Sequence, residues 1–282
     1  MEIIHTIEAL RARRSAAGAL ACVPTMGNLH EGHLDLVRIA HEHAGHVLVT
    51  LFVNRLQFLP HEDFDRYPRT LESDCAALER AGVHTVFAPA EDELYPEPQG
   101  YKVVPPATLA DDLEGHFRPG FFTGVATVVS KLFNIVAPDV AVFGKKDYQQ
   151  LMVIRQMVRQ MALPIRIIGG ETVRAQDGLA LSSRNGYLSA EERARACELR
   201  ATLLDVAARL GQNGASRNLR AVEALEAAAC ERLRSAGWVP DYVAVRKQSD
   251  LQSPAAQERD LVILGAARLG GTRLIDNLEV TI

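Results

Sequence analysis

Apolar and polar positions alternate in blocks along the first 170 residues. Leu20-Ala21-Cys22-Val23 is an unbroken apolar run, as expected of a strand covered on both faces. Leu34, Leu36, Val37, Ile39 and Ala40 then recur at helical spacing. Val47 to Val53 is apolar apart from Thr50 and predicts a second buried strand. Leu71 to Ala81 reads as a helix and Thr85 to Ala88 as a strand. A strongly helical pattern from Gly124 to Ala137 runs through Val125, Val128, Val129, Leu132, Phe133 and Val136, and Pro138 stops it. Val140 to Phe143 predicts a strand, Tyr148 to Ala162 a helix closed by Pro164, and Ile165 to Ile168 a strand. This alternation predicts an α/β fold with a doubly wound, Rossmann-like parallel sheet.

The rhythm changes near residue 172. Ser189-Ala190-Glu191-Glu192 has capping-box spacing and starts a long helix expected to reach Leu210. Gly211-Gln212-Asn213-Gly214 breaks it, and a second helix is expected from Leu219 to Ala236. Short strands follow at Tyr242–Val245, Leu261–Leu264 and Arg273–Ile275. The expected division is therefore 1–171 for the doubly wound domain and 172–282 for a smaller α+β domain.

The length of 282 residues fits two domains, and 48% hydrophobic residues suffice for their cores. The net charge of −4 is spread without a basic block, which weighs against a nucleic-acid partner but not against a small phosphorylated ligand. The four cysteines, Cys22, Cys75, Cys197 and Cys230, lie far apart without metal spacing. No apolar run is long enough to span a bilayer and no basic-then-apolar leader opens the chain, so a cytoplasmic setting without a membrane partner is expected.

The densest chemistry lies between the first buried strand and the helix after it, at Pro24-Thr25-Met26-Gly27-Asn28-Leu29-His30-Glu31-Gly32-His33. Two histidines three apart are expected on one side of the first helical turn. Gly27 and Gly32 allow close approach of backbone to a ligand, and free N–H groups with the helix dipole favour an anion there. An imidazole beside an anion is drawn toward its charged form. Metal ligation is the competing reading of the pair, but no third ligand stands nearby. Asn54 and Gln57 follow the next strand, where amides suit a neutral hydroxyl-bearing group at the mouth of a site. Arg118 precedes the helix at 124 and suits a carboxylate or phosphate. Gly144-Lys145-Lys146-Asp147 follows another strand, with Lys146 as a point charge, Lys145 as a solvated extra charge, and Gln150 on the next helical turn. Leu181-Ser182-Ser183-Arg184 offers two hydroxyls and a guanidinium in a row.

His30-Glu31-Gly32-His33 resembles the His-x-Gly-His signature of the nucleotidylyl-transferase superfamily. Together with Pro24-Thr25-Met26-Gly27, Glu62-Asp63-Phe64-Asp65-Arg66-Tyr67-Pro68-Arg69-Thr70, Phe143-Gly144-Lys145-Lys146-Asp147 and Asp177 to Asn185, it resembles the pantothenate synthetase family. The resemblance implies condensation of pantoate with β-alanine through a pantoyl adenylate, with ATP going to AMP and pyrophosphate. It implies ATP contacts from Met26, Gly27, Asn28, Leu29, His30, Glu31, Gly32 and His33. Further ATP contacts are implied for Gly144, Lys145, Lys146, Asp147, Val173, Leu181, Ser182, Ser183 and Arg184. His30, His33, Lys146 and Arg184 are implied as the catalytic set. Pantoate falls to Gln57, Gln150 and Arg118, and β-alanine to Gln57. Mg2+ is implied on the ATP phosphates without an assigned protein ligand. A homodimer is implied as well, and the smaller domain is the candidate lid over a hydrolysable adenylate.

Two positions depart from the family pattern: Arg55 stands where proline is usual, and Phe121 where histidine is usual. Arg55 is expected to loosen the loop carrying Gln57, and Phe121 to remove a hydrogen-bonding group. Two other functions stay open at this point. One is a nucleotidylyl transferase for a phosphorylated substrate, with Arg55 as the extra cation. The other is a nucleotide-binding relative without catalysis. Three features are set aside. His41, His43 and His46 are expected to be solvated, Asp111-Asp112 to be surface carboxylates, and Gly265 to Thr272 to mimic a P-loop without its lysine.

Overall fold

The run Leu20–Val23 becomes the middle of a parallel sheet because every side chain in it is apolar and can be covered on both faces. The computed structural model describes residues 1–14, 18–60, 62, 64–212 and 218–282, with Arg14 described for its backbone alone. In chain order the elements are β1 (Glu2–Ile4), α1 (Ile7–Arg14), β2 (Leu20–Thr25), α2 (Glu31–His41), β3 (His46–Leu51), α3 (Leu71–Arg80), β4 (Thr85–Phe87) and α4 (Glu91–Leu94). There follow α5 (Ala107–Ala110), α6 (Glu114–Phe117), α7 (Phe121–Val136), β5 (Val140–Gly144), α8 (Tyr148–Gln160) and β6 (Arg166–Gly170). The remainder is α9 (Ala190–Arg195), α10 (Glu198–Leu210), α11 (Leu219–Ser235), β7 (Val239–Lys247), β8 (Asp260–Leu269) and β9 (Thr272–Thr281).

Contacts divide the chain into two units: residues 1–106, 118–145 and 150–173 in the first, and 107–117, 146–149 and 174–282 in the second. In the first unit the described strands form a parallel sheet of order β1-β4-β3-β2-β5-β6. Its core joins Ala21, Val23, Val47, Val49, Val86 and Val142 to Leu36 and Val37 of α2 and Leu78 of α3. The strand order reverses between β2 and β5, which makes their carboxyl ends the switch point where such sheets bind ligands. The two strands pair only at Ala21–Val140 and Cys22–Ala141. Beyond that they part, and Pro24, which has no N–H to give, stands where β2 has already left β5.

In the second unit β7, β8 and β9 form an antiparallel sheet under α10 and α11. Leu199, Leu203, Leu233, Trp238, Val245, Leu261 and Ile263 are its core. Gly265 on β8 lets α10 sit close, since a Cβ there would lie 3.0 Å from Leu203 Cδ2.

The α/β class and the smaller second domain are as the sequence pattern predicts, and several boundaries differ. The pattern gives no element before Leu20, yet β1 pairs with β4 at the sheet edge through just three residues. The helix expected across 189–210 is two helices, α9 and α10, separated at Ala196–Cys197. Asn213 and Gly214 of the expected break after Leu210 lie outside the described residues. The C-terminal strands are 9, 10 and 10 residues long, extending well beyond the short apolar runs at 242–245, 261–264 and 273–275. Gly270-Gly271 is the two-residue turn of the β8–β9 hairpin, not a phosphate loop. Nor is the division a single cut at 171/172. Segment 107–117 joins the second unit because the Glu114 carboxylate takes a bidentate pair from Arg273 at 2.7 and 2.8 Å and the Tyr242 hydroxyl at 2.8 Å. Gln149 joins it through Leu109 O, Asp112 O and the Glu114 N–H.

Candidate functional site

In the first unit, the turn after β2 is built around one buried carboxylate. Gly27 and Asn28 both take left-handed backbone, with φ of +81° and +52°. That turns two successive N–H groups toward Asp74 on α3. Asn28 N donates to Asp74 Oδ2 and Leu29 N to Asp74 Oδ1, each at 2.9 Å, and Thr70 Oγ1 donates at 3.0 Å. Asp74 is 4% exposed. A side chain on Gly27 would press on the same carboxylate, with its Cβ 3.0 Å from Asp74 Oδ2. Thr25 ties the turn to β3, donating to Thr50 O at 2.9 Å and accepting Gly27 N at 3.2 Å.

The helix that follows is capped by histidines. His30 is the N-cap rather than a first-turn residue. Its Nδ1 accepts Gly32 N at 3.1 Å, and the Nδ1 of His33 accepts His30 N at 3.3 Å, which closes a capping box. The ring centroids are 4.1 Å apart. A nitrogen that accepts a backbone N–H carries no proton, so the ring proton sits on Nε2. The expectation of free backbone N–H groups is corrected here. The N–H groups of residues 28, 29, 30 and 32 already have protein acceptors. A proton on either Nδ1 would face a backbone donor. Both rings stand on a helix start whose dipole favours negative charge.

Gln57 sits in a short 3-10 turn, Arg55–Gln57, after β3. Asn54 is not at the mouth of a site, as its position after the strand predicted, but 1% exposed beneath the turn. Its amide donates to Gln57 Oε1 at 3.0 Å and Gly124 O at 3.2 Å, and its oxygen accepts the Tyr95 hydroxyl at 2.8 Å. Burial pushes the Tyr95 phenol up, so it stays a donor. Gln57 Nε2 points to Met26 Sδ at 3.2 Å, linking the two loops. Gly124 of α7 lies against this turn so closely that a Cβ would overlap the Leu56 carbonyl oxygen and stand 2.8 Å from Gln57 N.

Arg118 already has partners. It forms a bidentate pair with Glu62 at 2.7 and 2.7 Å, donates to Gln57 O at 3.1 Å, and lies 3.8 Å above the Phe121 ring. Phe121, where a histidine was the family's usual residue, therefore supports the arginine that braces Gln57. Arg55 is itself held by contacts. Its guanidinium pairs with Glu91 at 2.8 and 3.1 Å and lies 3.9 Å above Phe64, which leaves it poorly suited to be a second substrate's cation. Gln150 is half-buried on the first turn of α8. Lys145 is not a solvated charge, since its ammonium meets Glu171 at 2.5 Å and the side chain is mostly covered. Asp63, within the Glu62–Thr70 block, lies outside the described residues.

The second unit holds the other group of candidates. Lys146 and Asp147 form a 3-10 turn with Lys145, and the Lys146 carbonyl accepts Asn277 Nδ2 at 2.9 Å. Ser182 caps the 3-10 turn Ser183–Tyr187, its hydroxyl accepting Arg184 N at 3.3 Å. Leu181 follows Ala180, which bridges to Arg174 just after Val173. Among the described residues no three His, Cys, Asp or Glu side chains come together as a metal cage. His46 instead stacks on His84 and bonds Thr85 Oγ1 at 3.0 Å, and His41 Nε2 lies 3.1 Å from Ala81 O.

Sequence reasoning passed over Asp74, Gly124 and Asn277. Asp74 and Asn277 are ordinary polar residues in the sequence, and the need for glycine at 124 exists only once Leu56 is placed beside it.

Comparison with known proteins completes the picture. The model of the family described as pantoate-beta-alanine ligase matches residues 2–279. A curated pantothenate synthetase of Leptothrix cholodnii is 62% identical over 290 residues, covering 99% of this chain and all of the relative. The crystal structure of pantothenate synthetase from Thermus thermophilus superposes with a TM-score of 0.89 at 42% identity over the whole of both chains. A pantoate-beta-alanine ligase from Francisella tularensis, crystallised with beta-gamma ATP and beta-alanine, has a TM-score of 0.79 at 32% identity, covering 99% of this chain and 97% of that one.

Proposed function

The chain belongs to the pantoate-beta-alanine ligase family, and from that premise we propose that it joins pantoate to β-alanine at the expense of ATP, through a pantoyl adenylate. One observation carries the residue-level reading: both capping histidines accept a backbone N–H at Nδ1, which roots the two rings at the helix start beside the sheet's switch point.

In the first step a pantoate carboxylate oxygen attacks the α-phosphorus of ATP, the bond to the bridging oxygen breaks, and pyrophosphate leaves with that electron pair. His30 and His33 donate to phosphate oxygens as charge grows there. Losing one such donor typically costs about 3–4 kcal/mol of transition-state stabilisation. Lys146 and Arg184 of the second unit supply fixed positive charge to the phosphates, with Ser182 and Ser183 as hydroxyl donors. Met26 to Gly32, Gly144, Lys145, Asp147, Val173 and Leu181 complete the proposed ATP contacts. Gln57 and Gln150 orient pantoate, which is worth on the order of 7–11 kcal/mol when the geometry is right. Arg118 acts by holding the Gln57 turn through its carbonyl. In the second step the β-alanine amine attacks the acyl carbon, AMP leaves, and the amine gives up a proton.

Mg2+ is part of the nucleotide substrate, held by phosphate oxygens and water. The family relative's complex with beta-gamma ATP and beta-alanine supports both of those substrates for this chain. A homodimer and a cytoplasmic setting belong to the same reading, and four unbridged cysteines fit a reducing compartment. Incubation with MgATP, pantoate and β-alanine tests it. AMP and pantothenate forming in equal amounts supports the reading, and ADP as product, or AMP released without pantoate, defeats it.

A further inference from the structure

We propose that Asp276-Asn277 of β9 is the positioning element for the phosphate-facing groups of the second unit. The proposal rests on the reading that Lys146 and Arg184 meet the nucleotide. Within that unit one dipeptide holds both segments that carry them. The Asn277 amide donates to the Lys146 carbonyl at 2.9 Å. Both oxygens of Asp276 receive the Arg174 guanidinium, at 2.8 and 2.9 Å. Arg174 also donates to Gly178 O at 3.1 Å and to Asn277 O at 3.4 Å, and it bridges to Ala180. Leu181 to Arg184 follow at once, and Asn185 closes the turn by donating to Ala180 O at 3.0 Å. Asp276 is in turn fixed by the N–H of Asn277 at 2.8 Å.

A polar pair this deep in a strand is a poor choice for stability. Asp276 and Asn277 are 5% and 7% exposed, opposite Gly265 and Leu264 of β8. Replacing a buried ion pair by apolar residues is often neutral or better for folding, so stability alone does not explain the pair. Geometry supplies a reason. A lysine is a point charge on a flexible stem, and its reach depends on where its backbone is rooted. Asn277 roots Lys146, while Asp276, through Arg174, roots the segment ending in Arg184. The pair acts through those residues and is not itself in contact with substrate.

The test is a double-mutant cycle with Asn277→Ala and Lys146→Met, read as single-turnover adenylate formation on the full chain, with thermal unfolding alongside. Asn277→Ala is expected to lower the rate about 10-fold or more by misplacing Lys146, with KM for β-alanine unchanged. In the Lys146→Met background the same change is expected to cost less than about 2-fold, because the group it positions is gone. Should Asn277→Ala fail to fold, Asn277→Ser, which keeps a donor and loses reach, carries the same cycle. Two losses that simply multiply, or a folded Asn277 variant with the wild-type rate, would overturn the proposal. A Lys146→Met chain with the wild-type rate removes the phosphate reading of Lys146 beneath it, a result distinct from either.

Discussion

Replacing Gly124 by alanine adds one methyl group where the backbone of the Gln57 turn already lies. The new Cβ would stand 2.5 Å from the Leu56 carbonyl carbon and 2.8 Å from Gln57 N. Ordinary contacts between such atoms are about 3.5 Å, so turn and helix must separate by about 1 Å. Neither side yields easily. Asn54 beneath the turn is bonded to Gly124 O, Gln57 Oε1 and the Tyr95 hydroxyl, and Arg118 holds Gln57 O from outside. Overpacking of this kind costs about 1–3 kcal/mol of stability. A misplacement of about 1 Å at a substrate-orienting group costs on the order of 10²-fold in rate. Gly124→Ala is therefore expected to lower kcat/KM for pantoate about 100-fold while the protein remains folded. Steady-state kinetics with varied pantoate, together with urea unfolding, measures both effects. Wild-type kcat/KM and wild-type stability together would refute the claim that this close approach positions Gln57.

Three further outcomes are expected. Asp74→Asn places an amide N–H among the donors of Asn28, Leu29 and Thr70 and loses charge-assisted bonds, so urea unfolding should show a loss of about 1.5–3 kcal/mol with adenylate formation slowed. The hydrogen bond from Arg55 holds the Glu91 carboxyl below its ordinary 4.5. A lowered folded-state value stabilises above the ordinary range and that stabilisation disappears as pH falls through it, so the small melting-temperature gap between wild type and Arg55→Ala should shrink as the pH is taken below that ordinary value. A gap that widens on acidification would contradict this. Arg118→Lys keeps the charge but loses the bidentate fork to Glu62, and it should raise KM for pantoate with no loss of ATP affinity; equal loss of both would place Arg118 elsewhere in the mechanism.

Much of the fold was legible because it rests on local pattern. The buried runs 20–23, 47–49 and 140–143 are apolar on both faces, and their alternation with helices leaves few topologies. The glycine and histidine spacing between Pro24 and His33 likewise announces a ligand-facing helix start. What the histidines do there was not legible. N-caps are usually oxygen side chains, and only the backbone geometry reveals that each ring turns Nδ1 inward. Asp74 acts on residues 46 positions earlier in the chain, and Glu114 meets Arg273 across 159, distances at which composition and period are silent. Arg55 and Phe121, read as losses against the family pattern, each have a compensating contact, with Glu91 and with Arg118, that becomes visible only in three dimensions.

The most direct test of the account is exchange of labelled pyrophosphate into ATP without β-alanine, run on the wild-type chain and on His33→Ala. Adenylate formation at the histidine-capped helix requires exchange that depends on pantoate and falls about 10²–10³-fold in the variant. Pantothenate synthesis without any exchange, or exchange as fast in His33→Ala as in wild type, would contradict an adenylate made at the histidine-capped helix.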